Sequence, residues 1–525
     1  MRKMMEKMKS EQRLGSQTAR SSFYQFIRNI CRGVDQRFVM TGLLGFGILC
    51  NYMQRVCFYI TLVEMTKQFS EDKQNFFWQQ EGSWERCPHI FLEDEDKKDG
   101  QFRDWSDATQ GQLIASFFVG HFLSSVFGGF IADKYGAKQI FSASLLVTSV
   151  CSFLTPVAAI ELGPYMVMLV RFLMGFFQGP MFPAGAALLS KWSPSHERPI
   201  HSAVANSGVP MGSFLGNLLA GTIIYTNSWH WVFYIYGFLG VLCFIIWEVF
   251  AFSSPTTHRY ISAAERTYIE YSIQYTSPFT HGKIPWKQIF RSMKFRVIVW
   301  ANFGFDWGFY IVSLELPFYL FHVLHLPIMK IGAVASLPWI SMWIGAVVFG
   351  MVSQFLISEG IIRKIDMRKS MAIISTLVPA VLLILASWAS CSHVVVCLLF
   401  ALTMFYAGAV YSGLRLSVMD LAPNFSGLLM SIVNASGSLA GIAVPLIVHS
   451  IIDDGGTIFE WRMFFWIATA FMFASSIPYI MFATTAIQDW NKGLDPQEVE
   501  EVFPRRTISP FKEKSEENVT EEQTQ

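Results

Sequence analysis

Charge is what this chain has least of. Lys, Arg, Asp and Glu make up only 15% of its 525 residues and sum to a formal charge of +1, while 52% are hydrophobic and 15% aromatic. A water-soluble globular chain carries far more charge on its surface, so the composition points to a membrane protein with no nucleic-acid partner. Catalytic signatures are missing as well. No G-x-x-x-x-G-K-[ST] phosphate loop occurs, which excludes an ATP-driven pump of that type, and no H-E-x-x-H, C-x-x-C or G-x-S-x-G suggests an intramembrane enzyme. Neither a metal centre nor a cofactor is expected beyond a coupling ion, Na+ or H+; the acidic run Glu93–Asp96 reads as a solvated loop. The N-terminus has no apolar core that would make a cleavable signal peptide, leaving the first span as the signal anchor. Of the eight cysteines only Cys87 lies clearly outside a span, with Cys391 near a helix end, and no disulfide framework is legible.

What the chain does have is apolar runs. Twelve are long enough, at roughly 20 residues and 1.5 Å per residue, to cross a hydrocarbon core. They form two groups of six, which predicts an all-α membrane protein of two six-helix bundles at 39–252 and 296–486. A leader (1–38), an outer loop (64–109), a central loop (253–295) and a tail (487–525) complete the chain. The leader carries nine Lys and Arg against three acids, and the central loop is also basic (Arg259, Arg266, Lys283, Lys287, Arg291, Lys294). The positive-inside rule therefore makes leader, central loop and tail cytoplasmic. Within the leader, Phe23, Phe26, Ile27 and Ile30 recur at helical spacing among arginines, as in a basic helix lying on the inner leaflet, although a plain leader explains them equally. The sequons at Asn424, Asn434 and Asn518 fall inside the cell or in a span and should be unglycosylated.

Two bundles of six suggest a transporter built from repeated halves. After the second span comes Gly129-Phe-Ile-Ala-Asp133-Lys134-Tyr-Gly136-Ala-Lys138, and after the eighth a degraded echo, Gly350-Met-Val-Ser-Gln354 followed by Arg363, Lys364, Arg368 and Lys369. The first stretch resembles the G-x-x-x-D-[RK]-x-G-x-[RK] loop signature of the major facilitator superfamily, in which the Asp and basic residues regulate closure on the cytoplasmic side. Asn51-Tyr52-Met-Gln-Arg55-Val56, Phe182-Pro183-Ala184, Lys191-Trp192-Ser193-Pro194 and Asp420-Leu-Ala422-Pro423 resemble its anion:cation symporter branch, which holds sialin, the vesicular glutamate transporters and the sodium-dependent phosphate and organic-anion cotransporters. The resemblance implies the major facilitator fold, a small anionic solute, a monomer in the bilayer, and a central cavity lined by helices 1, 4, 7 and 10.

An ionisable group at mid-membrane costs about 2.5–3.5 kcal/mol on insertion scales, so each needs a reason. The candidates are Arg55 (helix 1), His121 (helix 2), Arg171 (helix 4), Asp306 and Glu315 (helix 7) and Arg415 (helix 10). Within VRFLMGFFQGPMFPAG (170–185), Arg171 and Gln178 project within about 20° of each other, two turns apart. Gly175 and Gly179 beside them would let another helix approach closely. Arg171 and Arg55 are read as anion ligands, because a guanidinium fits carboxylate or phosphate oxygens in pairs; a salt bridge to an acid such as Glu315 is the alternative. Asn51, Tyr52 and Gln178 join them as candidate substrate residues.

Asp306 and Glu315 are open to three roles: sodium ligands, proton acceptors, or gate partners of Arg55 and Arg171. Pro317 after Glu315 frees a carbonyl one turn back, a common way to make a cation-friendly break. His121 either titrates near neutral pH or packs through hydrogen bonds, and Arg415 is assigned, with Asp133 and Lys134, to gating. Two departures from the resembling branch bear on mechanism. Gln178 stands where sialin-like and vesicular glutamate transporters have a titratable Glu, and Phe305 stands where the glutamate carriers have Arg. These favour phosphate or organic anions over glutamate and sodium or membrane potential over a proton gradient, with the plasma membrane expected ahead of a lysosomal or vesicle membrane. A proton-coupled exporter and a non-transporting receptor or channel-like relative are the competing readings.

Overall fold

The structure is a computed structural model and describes residues 35–67, 87, 100–102, 104–194, 197–258, 261–274, 284–389, 391–422, 425–452 and 457–492. Twelve helices long and apolar enough to span a membrane follow in order: α1 (Gln36–Thr66), α2 (Asp107–Tyr135), α3 (Ala137–Leu162), α4 (Pro164–Trp192), α5 (Ile200–Thr226), α6 (Trp229–Phe250), α7 (Met293–His322), α8 (Ile328–Ser358), α9 (Lys364–Trp388), α10 (His393–Leu421), α11 (Ser426–Ile451) and α12 (Ile458–Phe482). Helices win here because hydrocarbon offers no partner for an open strand edge, whereas a helix satisfies its own N–H and C=O groups. The expected spans lie within a few residues of these, apart from α9, which begins earlier. Its first two turns are charged, and they are held by Arg368 and Lys364 binding Asp420 of α10 at 2.9 and 2.6 Å.

Three of the helices with candidate charges are irregular. α4 breaks at Gly179-Pro180, α7 widens into a π turn at Ile311–Glu315 just before Pro317, and α10 tightens at Gly408–Tyr411. Gly175 and Gly179 press on α2: a Cβ at Gly175 would strike the Phe117 carbonyl, and one at Gly179 the Ser124 hydroxyl.

The two six-helix halves meet mainly along α2 with α11 and α5 with α8. With twelve spans, both described ends lie on one face, here the termini face, and the far face is where the halves close. Gly221 of α5 and Gly332 of α8 leave under 3 Å for a Cβ against the other's backbone, and Gly111 of α2 sits equally close to His449 and Pro445 of α11. On the termini face, no ion pair between described residues joins the halves. Arg37 binds Glu197 at 3.0 Å on the first half, where its backbone N–H also donates to Glu265 of the central-loop helix Ala263–Gln274.

A disulfide joins Cys87 to Cys391 on the far face, with Cα atoms 5.2 Å apart, tying the loop after α1 to the loop before α10 and so one half to the other. The positions of both cysteines outside the spans were legible but their pairing was not, since they are 304 residues apart and meet only once the halves are packed. The leader helix, the Glu93–Asp96 run, Asn424, Asn518 and the tail beyond 492 lie outside the described residues. Asp133 and Lys134 belong to the last turns of α2, but their side chains are also outside the described set.

Candidate functional site

Arg171 is 1% exposed, yet its charge is not neutralised by any carboxylate in an ion pair among the described residues. Its Nη1 touches the Met174 thioether at 3.5 Å, and its Nε and Nη2 have no hydrogen-bond partner. The guanidinium instead lies over the ring of Phe58 at 4.1 Å and that of Phe117 at 4.9 Å. Arg55, one helix away, stands over the same Phe117 ring at 4.7 Å and over Phe118 at 4.8 Å, and reaches the Tyr52 hydroxyl at 3.4 Å. Phe117 thus brings two guanidiniums to one ring. Aromatic faces offset part of the cost of burying a cation, typically ~0.5–2 kcal/mol each, far less than a carboxylate would. The Tyr59 hydroxyl lies beside both cations but makes no aligned hydrogen bond.

Gln178, on the same face of α4, is turned toward α1. Its Nε2 donates to the backbone oxygen and the side-chain oxygen of Asn51, both at 3.2 Å, while Thr148 donates to that same Asn51 oxygen at 2.8 Å. Asn51 and Gln178 are wholly buried and fix α4 against α1 at the level of the two arginines. Tyr52 is half-buried and close enough to Asp306 and Arg415 of the other half to feel their charges.

In the second half Asp306 accepts from Arg415 at 2.9 Å, and Arg415 also donates to the Asn434 oxygen at 3.1 Å. Gly437 of α11 makes the room: a Cβ there would strike the Asp306 carboxylate. The partner of Asp306 is therefore Arg415, not Arg55 or Arg171, and Asp420, five residues beyond Arg415, is taken by Arg368 and Lys364. Glu315 makes no ion pair with Arg55 or Arg171 either; its Oε2 faces His449 Nε2 of α11 at 3.4 Å. His121 bridges the halves, with Nδ1 at 2.8 Å from the Ser438 hydroxyl of α11 and 3.2 Å from Ser125. Phe118 continues that seam, edge-on to Tyr310 at 4.8 Å and tight against Gly441.

The structure thus separates the candidate residues into an unneutralised pair, Arg55 and Arg171, on α1 and α4, and a neutralised pair, Asp306 and Arg415, on α7 and α10. Glu315 lies apart, toward the far face. Phe117, Asn434, Ser438 and His449 carry as much of this geometry as the charged candidates and were missed. Phe117 is one Phe among 48. His449 was the one residue with a signal, an ionisable group inside the apolar run of α11.

Comparison with known proteins fits this architecture. The family model described as Major Facilitator Superfamily matches residues 44–445. A Drosophila melanogaster protein described as "Putative inorganic phosphate cotransporter" is 29% identical over 479 residues, covering 90% of each chain. Vesicular glutamate transporter 3 of Danio rerio is 32% identical over 465 residues, 88% of this chain and 75% of that one. The solved xylose transporter XylE of E. coli, in a partially occluded inward open conformation, superposes with a TM-score of 0.58 at 13% identity, covering 85% of this chain and 98% of the other.

Proposed function

The chain belongs to the Major Facilitator Superfamily and is an anion transporter of that fold, not an enzyme; from that premise we propose that it carries inorganic phosphate or small organic carboxylates by alternating access of its two halves. One observation carries the reading: Arg171 keeps two guanidinium nitrogens, Nε and Nη2, buried and unpartnered. Burying an uncompensated cation is costly unless a ligand completes it, and Arg55 at the same ring doubles the positive charge. A site of that charge and donor geometry suits oxygens of a divalent anion or of a carboxylate.

The same balance bears on the driving force. Asp306 is neutralised by Arg415 and Glu315 faces His449, so neither acid of α7 stands as a free carboxylate for sodium, and Gln178 cannot titrate. Membrane potential acting on the positive, unloaded site is the driver these contacts favour, with sodium second. We take the termini face as cytoplasmic in the plasma membrane; the disulfide on the far face supports an oxidising compartment there.

Proteoliposomes loaded and diluted to impose sodium, proton or potassium-diffusion gradients separately, with labelled phosphate, test all of this. Voltage-dependent uptake competed by carboxylates, and lost in Arg171→Lys, is expected, because lysine keeps the charge but not the planar fork. Uptake that follows a pH gradient alone favours the proton-coupled exporter, and conductance without saturable uptake favours a channel-like protein.

A further inference from the structure

We propose that the Glu315–His449 pair is a proton-binding site built into the far-face seam, and that its protonation state sets how readily the halves part there. Both side chains are buried, at 1% and 7% exposure, with 3.4 Å between Glu315 Oε2 and His449 Nε2. Neither Glu315 oxygen has a hydrogen-bond donor, and His449 Nε2 has no hydrogen-bond partner. The pair is held by ion-pair proximity alone. It lies where the halves touch: Gly111 of α2 packs on the His449 Cβ, and Phe318 stands edge-on to the imidazole at 5.0 Å. A small cavity, with room for about one water and lined by Asp107, Glu315, Phe318, His322, His449 and Trp461, opens beside it.

Charge balance supplies the coupling. With one shared proton the pair is neutral, either as carboxylate and imidazolium or as acid and neutral ring. A second proton leaves a net positive charge, and loss of the first leaves a net negative one. Either is costly while the seam is shut and is relieved by water once α2 leaves α11. The closed far face is therefore the state that binds one proton. Other charged or titratable groups at this end are Asp104, Glu161, His230, His325, Lys330 and His393, none on the cavity; Asp107 and His322, both on it; Glu64 of α1 and Lys67 just past it, which pair at 2.8 Å; Glu460, which caps α12 by accepting from the Thr457 N–H at 2.8 Å; and Arg462, on the Ser387 carbonyl at 3.3 Å. None of the last four lines the cavity.

The inference rests on the alternating-access reading only in that the far face must open. Its test needs no anion, so a wrong substrate assignment leaves it untouched. Spin labels at Leu162→Cys and Val394→Cys, exposed far-face positions on opposite halves, report the opening by pulsed distance measurement. The full chain would be held in lipid nanodiscs, with its free cysteines replaced and the disulfide kept. Between about pH 3 and pH 9, a span that brackets the ordinary carboxyl and imidazole ranges, the wild-type closed population should pass through a maximum. Glu315→Gln leaves the histidine alone, so acid alone should open the seam. His449→Gln leaves the carboxylate alone, so alkali alone should open it. Each change is bounded by about tenfold in the open-to-closed ratio per pH unit, the limit for one proton. The double variant should lose both limbs, any remaining slope belonging to Asp107 and His322. Single variants that keep the wild-type profile, or a wild-type distance that is constant or shifts in one direction only, would overturn the proposal. If a single variant does not fold, the wild-type maximum decides.

Discussion

Replacing Arg171 by Met should stabilise the anion-free protein while abolishing its response to anion. Arg171 is almost wholly buried and has no carboxylate partner, and its identified favourable contacts are mainly the Phe58 and Phe117 faces, at 4.1 and 4.9 Å. Those rings contribute ~0.5–2 kcal/mol each, against a desolvation penalty of several kcal/mol for an uncompensated ion. Methionine is flexible enough to fill the space and packs well on aromatic rings. The penalty exceeds the loss, so we expect a gain of about 1–3 kcal/mol. Thermal unfolding in detergent, in buffer free of phosphate and carboxylates, reads it as an upward shift. Phosphate at about 100 times its dissociation constant should add ~2.7 kcal/mol to the wild type and nothing to the variant. A loss of ~3–5 kcal/mol in Arg171→Met, the usual cost of breaking a buried ion pair, would refute the reasoning, since Arg171 would then be a structural cation.

Gly437→Ala should push its Cβ into the Asp306 carboxylate and break the Asp306–Arg415 pair; transport should fall at least tenfold, and in a double-mutant cycle the Gly437→Ala/Asp306→Ala variant should lose less stability than the sum of the two single losses. Full additivity would count against that geometry. Burial pushes the Glu197 carboxyl up, but Arg37, His201 and Tyr268 outweigh it and hold the group below its ordinary value. Its support for the Ala263–Gln274 helix is therefore present above the normal carboxylate range and lost as pH falls through the depressed value, so hydrogen exchange there should rise below about pH 4. Glu197→Gln should remove that dependence, and a helix that stays protected in acid would contradict it. Non-reducing peptide mapping should recover Cys87 linked to Cys391, and Cys391→Ser should cost about 2–5 kcal/mol; free thiols at both positions would dismiss the bond and with it the support for an oxidising far face.

The twelve spans, their grouping in two sixes and the helices that carry charge were legible in the sequence, because hydrocarbon imposes a length and a polarity on each segment independently of its neighbours. An arginine or aspartate in an apolar run is visible for the same reason: its cost is local and needs no partner to be noticed. Which charges meet was not legible. A salt bridge between Arg171 and Glu315 was open on the sequence, but the packing of α1 and α2 against α4 surrounds the arginine with Phe58 and Phe117, and the space left by Gly437 seats Asp306 opposite Arg415. His449 gained meaning only beside Glu315, and Cys87 only beside Cys391, 304 residues away. Pairing energy depends on a few ångströms between helices distant in the chain, so neutralised and unneutralised charges were told apart by the tertiary structure alone.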